Sequence, residues 1–525
     1  MHDTIRPLPG MACCFDCHSS IRRISVVAEV GTNAVYLCNS LLFTQPHASS
    51  NKPVARFDWK RRVIMSEENF ENPKDDILET AWNIVCLGPI CDNCLGRQFA
   101  MLSTGLTNAE RGRSIKTVLA MQASAVEDKA LLEELAPSFR SARLKLGRKD
   151  EEDARCTVCL GEMAPQKLDD WAGKAAEALA GWEIETLVVG TKVSGLLAEN
   201  EELLLADGGS THAEPFKSEL NREVGKRLSQ KTGKQVDLKS PDVVVHLVLE
   251  KGEVELQVAS LYLRGRYRKL VRGIPQTRWP CRECHGRGCP RCSGTGRMYQ
   301  ESVDELIRPA VMEAAQAEDT VFHGAGREDI DARMIGTGRP FIVEAVRPRV
   351  RTIDLDKLQE EINRSASGKV EVLGLCGAKS AMVERLKEAT FQKTYSALVK
   401  LGAEVSEEKL KSVLTGLVGP IDQRTPTRVS HRRADKLRVR KVHSADLIEV
   451  TGNLARINIR GDSGLYIKEL ISGDGGRTRP NLADALRVDA IVEELDVIDV
   501  GGESDGTSSR NAEEVKRQAE QDCQG

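Results

Sequence analysis

The amino-acid sequence predicts a multidomain α+β protein, and three observations carry that reading. Eight of its 15 cysteines fall in four Cys-x-x-Cys pairs beyond residue 64: Cys91/Cys94, Cys156/Cys159, Cys281/Cys284 and Cys289/Cys292. Strand-length apolar runs alternate with amphipathic helical segments through the middle and end of the chain. A length of 525 residues, 40% hydrophobic and 29% charged, allows roughly two to four domains with real cores. No window approaches about eighteen consecutive apolar residues, so no membrane span is expected. The formal net charge of -3 hides charges that are segregated along the chain.

Residues 1–64 hold Cys13, Cys14, Cys17 and Cys38 among short apolar runs, with no sustained helix or strand period. Met65-Ser-Glu-Glu looks like an ordinary beginning. An upstream-start artefact or a disordered extension is therefore expected before it, with a metal site at Cys14 and Cys17 as the minor alternative.

Residues 65–165 hold Cys91-Asp-Asn-Cys94-Leu-Gly and its near copy Cys156-Thr-Val-Cys159-Leu-Gly. Each resembles a zinc knuckle, in which a tight turn aims two sulfurs at one metal, and two knuckles complete one tetrahedral site. In a lysine-rich chain with no clear secretory signal, such pairs read as zinc sites in a reducing, cytoplasmic compartment. Metal-free or redox-active pairs are the alternative. Ala109–Leu146 is helical in pattern, and Cys86 is expected to be a buried thiol.

Residues 166–259 read as α+β. Lys167–Ala180 looks helical, Glu185–Gly190 is a strand, and Pro215–Thr232 is an amphipathic helix with basic outer positions. Asp242–Leu249 is a near-continuous apolar strand, joined by a Lys251-Gly252 turn to a second strand, Gly252–Leu263. The order resembles a THUMP domain, a small RNA-binding module of tRNA-modifying enzymes.

Residues 260–500 form the last folded unit, and 260–300 open it as a basic loop. Arg264, Arg266, Arg268, Lys269, Arg272 and Arg278 occur with no acid, and Tyr267 and Trp279 are interleaved. Charge for phosphate and flat rings for bases suit RNA contact; a solvated basic loop is the alternative. Directly after it, Cys281, Cys284, Cys289 and Cys292 stand among glycines that let backbone amides fold toward thiolates. Four sulfurs leave no open position, so this metal would be structural, with His285 a bystander.

Helical periodicity follows at Val303–Glu318 and Leu355–Ile362, and strands are expected at Phe341–Val346, Gly368–Leu373, Lys393–Val399 and Ala490–Val500. Between the first helix and strand lies His323–Phe341, with Asp329 and Asp331 set among Arg327, Arg333, Arg339 and several glycines. Nearby arginines favour the ionised form of a carboxylate, as a nucleophile requires; an ion-paired surface turn reads the same way. Arg428, Arg432 and Arg433 belong to a second basic cluster within Asp422–Val442. Residues 501–525 read as a disordered acidic tail.

Taken in order, Gly326-Arg-Glu-Asp-Ile-Asp-Ala-Arg, Gly338-Arg-Pro-Phe, Thr394-Tyr-Ser-Ala-Leu, Thr425-Pro-Thr-Arg-Val-Ser-His-Arg-Arg-Ala-Asp and Tyr466-Ile-Lys-Glu-Leu resemble one family. It is the archaeal and eukaryotic THUMP-containing tRNA pseudouridine synthases that act on TΨC-loop uridines 54 and 55. The resemblance covers roughly residues 74–500. It implies a catalytic domain built on a mixed β-sheet, and an aspartate nucleophile acting on a flipped uridine without a cofactor. The nucleophile stands two positions after an arginine, which places it at Asp329 and not Asp331. Tyr395 would pack on the uracil and take the C5 proton. Tyr466 would line the pocket, and Lys468 would pair with the nucleophile. Leu465 stands where the family has threonine, which puts a hydroxyl contact there in doubt. Arg264, Arg266, Arg268, Lys269 and Arg272 would grip the TΨC arm of tRNA, with Arg428, Arg432 and Arg433 as a basic face beneath it. A monomer holding only structural zinc is the expected working form.

Two other classes are open to the sequence. A non-catalytic, zinc-stapled RNA-binding protein would need the basic patches but not Asp329, Tyr395 or Tyr466. A THUMP-linked methyltransferase or thiouridine enzyme would need a glycine-rich cofactor loop after a strand, and Gly473-Asp-Gly-Gly follows a helix-like segment instead.

Overall fold

A computed structural model gives the fold. It describes two short strands, β1 (Val26–Glu29) and β2 (Val35–Cys38), and then residues 76–208, 210–431 and 433–501. β1 and β2 pair antiparallel within one compact unit, Met1–Glu71; all other described elements belong to a second, Asn72–Gly525. At four residues each, β1 and β2 are too short to set up the alternation that marks a strand in sequence. Cys13, Cys14, Cys17 and the tail beyond Gly501 lie outside the described residues.

Five helices begin the second unit: α1 (Ile77–Cys86), α2 (Asp92–Arg97), α3 (Asn108–Ala125), α4 (Lys129–Leu135) and α5 (Arg140–Lys145). Cys86 ends α1 on its solvent side and is exposed, contrary to the buried thiol expected; Ile84 and Val85 take the core positions instead. There follow α6 (Pro165–Ala178), β3 (Thr186–Lys192), α7 (Gly195–Gly208), α8 (Phe216–Thr232), β4 (Gln235–Val236), β5 (Val243–Val248) and β6 (Glu253–Val258). The strands form one sheet in the order β4-β3-β5-β6, parallel except for β5 with β6. Phe216, Leu220, Val224 and Leu228 recur every fourth residue along α8 and are all buried, the stripe a helix presents to a sheet. β5 is less uniformly apolar in its packing than its sequence reads. Val243, Val245 and Leu247 point into the core, while Val244 and His246 are half-exposed. One hydrophobic core, from Ala81 to Val258, joins the helices and this sheet.

The chain then enters a ten-stranded sheet. Its elements in order are β7 (Leu261–Lys269), α9 (Val303–Ala315), β8 (Asp319–Gly324), β9 (Arg333–Val346), α10 (Leu355–Ser365), β10 (Val370–Ala378), α11 (Ala381–Glu388), β11 (Lys393–Leu401), α12 (Glu407–Gly416), β12 (Gly419–Arg424), β13 (Leu437–Thr451), β14 (Leu454–Gly461), α13 (Ile467–Ser472), β15 (Thr478–Arg479), α14 (Leu482–Leu486) and β16 (Ala490–Val500). The strand order is β10-β7-β9-β16-β11-β14-β13-β12-β15, with β8 also on β9. All pairings are antiparallel except β16 with β9, so the sheet is mixed. That parallel contact is short, Asp496 and Val497 against Arg333 and Met334. It forms the seam between two hydrophobic clusters, one under β7, β9 and β10 and one under β11 to β14.

Two expectations are corrected here. Residues 252–263 are not one strand: β6 ends at Val258, and β7 begins at Leu261 in the other sheet. Residues 261–269 are not a loop but β7, paired on both sides by β10 and β9. The basic run reads as unbalanced because the acids that pair with Arg268, Lys269 and Arg272 lie far away in sequence: Glu371, Glu328, Glu494 and Asp496.

Candidate active site

Asp329 lies in the turn between β8 and β9, beside the seam. The turn is shorter than the glycine- and arginine-rich stretch that contains it, because residues from Arg333 onward belong to β9. Its backbone is held from below. Lys269, wholly buried at the end of β7, donates through Nζ to the carbonyls of Ile274 at 3.0 Å, Asp329 at 3.1 Å and Ile330 at 3.2 Å. The Gly273 amide donates to Ile330 O at 2.9 Å. Arg272 Nη1 donates to Asp331 O at 2.9 Å, and its Nη2 reaches Asp496 Oδ1 at 2.7 Å. Arg333 grips both oxygens of Asp496, at 2.9 and 2.7 Å. The seam is thus locked by the same residues that hold the turn.

A buried ionic cluster lies beneath. Glu328 accepts from the Tyr267 hydroxyl at 2.9 Å and pairs with Arg339 Nε at 3.0 Å; Lys269 Nζ is 3.9 Å away. Gln276 Nε2 donates to Tyr267 Oη at 2.8 Å and to Gly326 O at 3.0 Å. Arg339 Nη1 donates to Ala325 O at 2.8 Å. Gly326 has φ +75°, a conformation that favours glycine, and a Cβ added there would sit 3.2 Å from Lys393 Nζ. Burial pushes the Lys393 ammonium down to about 8, and the Arg339 charge adds to the shift while Glu328 opposes it. Among the described residues Lys393 forms no ion pair.

Above the turn, the Asp329 carboxylate is partly exposed. Its Oδ2 lies 3.1 Å from Arg428 Nη2, and Arg428 Nε donates to Glu469 Oε1 at 2.7 Å. Partial burial works against the Arg428 charge, but Glu469 and Asp329 outweigh it and raise its pKa above the usual arginine range. Lys468 Nζ lies 2.5 Å from Asp331 Oδ2. This corrects the expected pairing of Lys468 with the nucleophile: α13 offers Lys468 to the second carboxylate, and Arg428 takes the first. Burial acts to raise Asp331, but Lys468, with Arg428 behind it, holds it below the usual carboxylate range.

Tyr395, on β11, packs against both hydrophobic clusters. Burial pushes its phenol up to about 12, with Arg339 opposing the shift and the Asp329 charge adding to it. The hydroxyl therefore keeps its proton at neutral pH. Tyr466 caps α13; its amide and carbonyl are bound by Gln423 at 2.9 Å each, and Arg433 Nη1 donates to its hydroxyl at 2.8 Å. Leu465 is buried in the core.

The basic residues expected to grip RNA divide. Arg266 donates to the carbonyls of Thr337 at 2.7 Å, Gly338 at 2.9 Å and Val500 at 2.6 Å. Arg268 donates to Gly336 O at 2.5 Å and Glu371 at 2.9 Å, and Arg264 reaches Cys376 Sγ at 3.2 Å. With Lys269 and Arg272, they brace the sheet and the turn. Lys269 in particular has no surface to offer a phosphate, because a strand flanked on both sides buries it. Arg433 is exposed and Arg428 faces Asp329, while Arg432 lies outside the described residues. Glu469, Glu328 and Lys393 were given no role by the sequence, and Arg339 was read only as a neighbouring charge. Glu469 stands inside the Tyr466-Ile-Lys-Glu motif, which was its one local signal.

The eight paired cysteines form two clusters, Cys91/Cys94/Cys156/Cys159 and Cys281/Cys284/Cys289/Cys292, each with all sulfurs within 4.8 Å of one another. Several separations, 3.7 Å for Cys91 to Cys159 and 3.9 Å for Cys281 to Cys289, match the roughly 3.8 Å edge of a tetrahedral zinc–thiolate site. Both clusters can hold structural zinc. The first is built into the core. Arg97, wholly buried, donates to Cys94 Sγ at 3.5 Å and to Glu219 of α8 at 3.2 Å. The second is a small cluster of its own, where the Gly288 and Gly296 amides each donate to a sulfur at 3.2 Å. A Cβ on Gly296 would lie 2.3 Å from Gly286 O. His285 is not among the ligands.

Comparison with known proteins places the chain. Residues 262–501 match the family model described as Pus10, C-terminal, and residues 171–247 match the Pus10 THUMP domain, archaeal. The tRNA pseudouridine synthase Pus10 of Methanothrix thermoacetophila is 63% identical over 82% of this chain and 97% of its own. The chain belongs to the Pus10 tRNA pseudouridine synthase family. By that membership it is an enzyme, an isomerase, and the non-catalytic RNA-binding alternative falls away. The Pus10 synthases of Halorubrum lacusprofundi and Methanopyrus kandleri are each 45% identical, over 82% and 79% of this chain and 97% and 96% of their own. A chain of a solved Cbf5-Nop10-Gar1 complex aligns over 37% of this chain and 44% of its own, at 22% identity and a TM-score of 0.24, too slight a likeness to carry weight. Among the described residues, no helix is long and apolar enough to cross a membrane.

Proposed function

We propose that the protein converts uridine 55, and also uridine 54, of the tRNA TΨC loop to pseudouridine, with Asp329 as the nucleophile. The observation that carries this reading is the turn itself. Asp329 presents a carboxylate to solvent, paired with Arg428 at 3.1 Å, on a backbone fixed from beneath by Lys269. A fixed backbone lets a nucleophile meet a flipped nucleotide in one geometry. Asp329 forms and later releases a covalent bond to that nucleotide. The N1–C1′ bond breaks, the base turns, C5 bonds to C1′, C5 loses its proton and N1 gains one. No cofactor is consumed. Tyr395 packs on the uracil, Tyr466 lines the pocket, and Lys468 keeps Asp331 ionised beside it. Exposed Arg433 binds phosphate. Zinc at both four-cysteine clusters is structural, and the ten free cysteines of the described residues suit a reducing cytoplasm.

Purified protein incubated with an unmodified tRNA transcript tests the reading, with pseudouridine mapped by chemical sequencing. Conversion at positions 54 and 55 is expected. A transcript left unmodified, or modified only elsewhere, would overturn it.

A further inference from the structure

Arg327 stands two residues before Asp329, and its guanidinium carbon lies 4.5 Å from the ring centroid of Trp279. Trp279 in turn meets Tyr299 edge-on, at 5.7 Å and 78°. These two aromatics flank the second four-cysteine cluster in sequence, and the cluster's loop is closed between them. Met298 N donates to Trp279 O at 3.0 Å, Cys281 N donates to Gly296 O at 2.7 Å, and Pro280 bridges Arg297. The base of the loop is fixed as well: Val303 N donates to Pro275 O and Asp304 N to Gln276 O, each at 3.0 Å. Gln276 also reaches this turn, through Gly326 O. The segment that carries the knuckle thus brings a flat ring to Arg327 and an amide to Gly326 of the same turn.

We propose that Trp279 is a positioning residue for the nucleophile: its ring fixes Arg327, Arg327 fixes the Gly326–Asp329 turn, and the four-cysteine knuckle fixes the ring. The inference rests on the assignment of Asp329 as nucleophile. A cation held over an indole face is directionally restrained. An error of about 1 Å in a reacting group costs on the order of a hundredfold in rate, so a contact that touches no substrate still acts on the chemical step. A knuckle serving only to staple its own loop would not need to reach the turn.

The test is single-turnover pseudouridine formation, with tRNA affinity measured in parallel, for Trp279→Ala, Trp279→Phe, Arg327→Gln and the Trp279→Ala/Arg327→Gln double variant. Trp279→Ala is expected to slow the chemical step about fivefold or more, with affinity within about twofold of wild type. Trp279→Phe, which keeps a ring face, restores most of the rate. In the Arg327→Gln background, Trp279→Ala adds little further loss. Zinc content is unchanged in all four. Where alanine does not fold, Trp279→Leu replaces it. Losses that multiply in the double variant, a loss in affinity instead of rate, or an unaltered rate in Trp279→Ala would each overturn the inference. An active Asp329→Ala protein would instead overturn the nucleophile assignment beneath it.

Discussion

Arg428 bridges two carboxylates: Asp329 at 3.1 Å through Nη2 and Glu469 at 2.7 Å through Nε. The guanidinium does both at once by presenting two different nitrogens from one rigid plane. Arg428→Ala therefore leaves Glu469, which is nearly buried, without its partner. It should cost about 1–3 kcal/mol of stability and lower pseudouridine formation at least about tenfold. Arg428→Lys keeps a charge but not the fork, and should fall between the two. Urea unfolding and single-turnover assays on the same preparations check both statements.

Lys393 gives a pH signature. Its folded pKa of about 8 lies below the ordinary 10.5, so between these values the unfolded chain binds the extra proton. Stability from this group therefore rises with pH across the window, and the full cost of the buried ammonium is felt below about pH 8. Lys393→Met should stabilise the protein near pH 7 by up to about 3 kcal/mol, and that gain should shrink toward zero as pH approaches 10.5. A gain that is flat with pH would count against the buried, charged lysine.

Arg266 and Arg433 should separate bracing from RNA binding. Arg266 donates to three backbone carbonyls, and Arg266→Ala should cost roughly 2–4 kcal/mol while leaving the salt dependence of tRNA affinity unchanged. Exposed Arg433→Ala should leave stability within about 0.5 kcal/mol and reduce the slope of log affinity against log salt by about one. Calorimetric unfolding and a salt titration of binding distinguish them.

The two cysteine clusters should differ when metal is lost. Cys94 is wholly buried in the core that joins the helices to the first sheet, whereas the second cluster packs on little beyond itself. Cys94→Ser should open residues 76–258 to proteolysis. Cys292→Ser should lose about one zinc per chain while the remainder of the fold keeps its protection. Metal analysis with limited proteolysis reads both.

Much of this was legible in the sequence where the physics is local. The cysteine spacing announced both clusters, the four-residue stripe of Phe216 to Leu228 announced α8, and the ordered motifs marked Asp329, Tyr395, Tyr466 and Lys468. The bracing role of the basic run was hidden because charge balance in a sheet is not local. Arg272 is neutralised by Asp496, 224 positions on, and Lys269 is satisfied by carbonyls that carry no sequence signal at all. An arginine-rich segment read alone looks like a surface for phosphate. Folded between β10 and β9, it braces the turn that carries Asp329. The exchange of partners between Lys468 and Arg428 has the same origin: it depends on how α13 meets the seam, which no motif records.

The central claim is that one of two neighbouring carboxylates carries the chemistry. Asp329→Ala and Asp331→Ala, assayed side by side on an unmodified tRNA transcript, test it most directly. Asp329→Ala should bind the transcript and form no pseudouridine, while Asp331→Ala, which loses only the Lys468 pair, should retain measurable conversion. Pseudouridine formed by the Asp329→Ala protein would contradict the account.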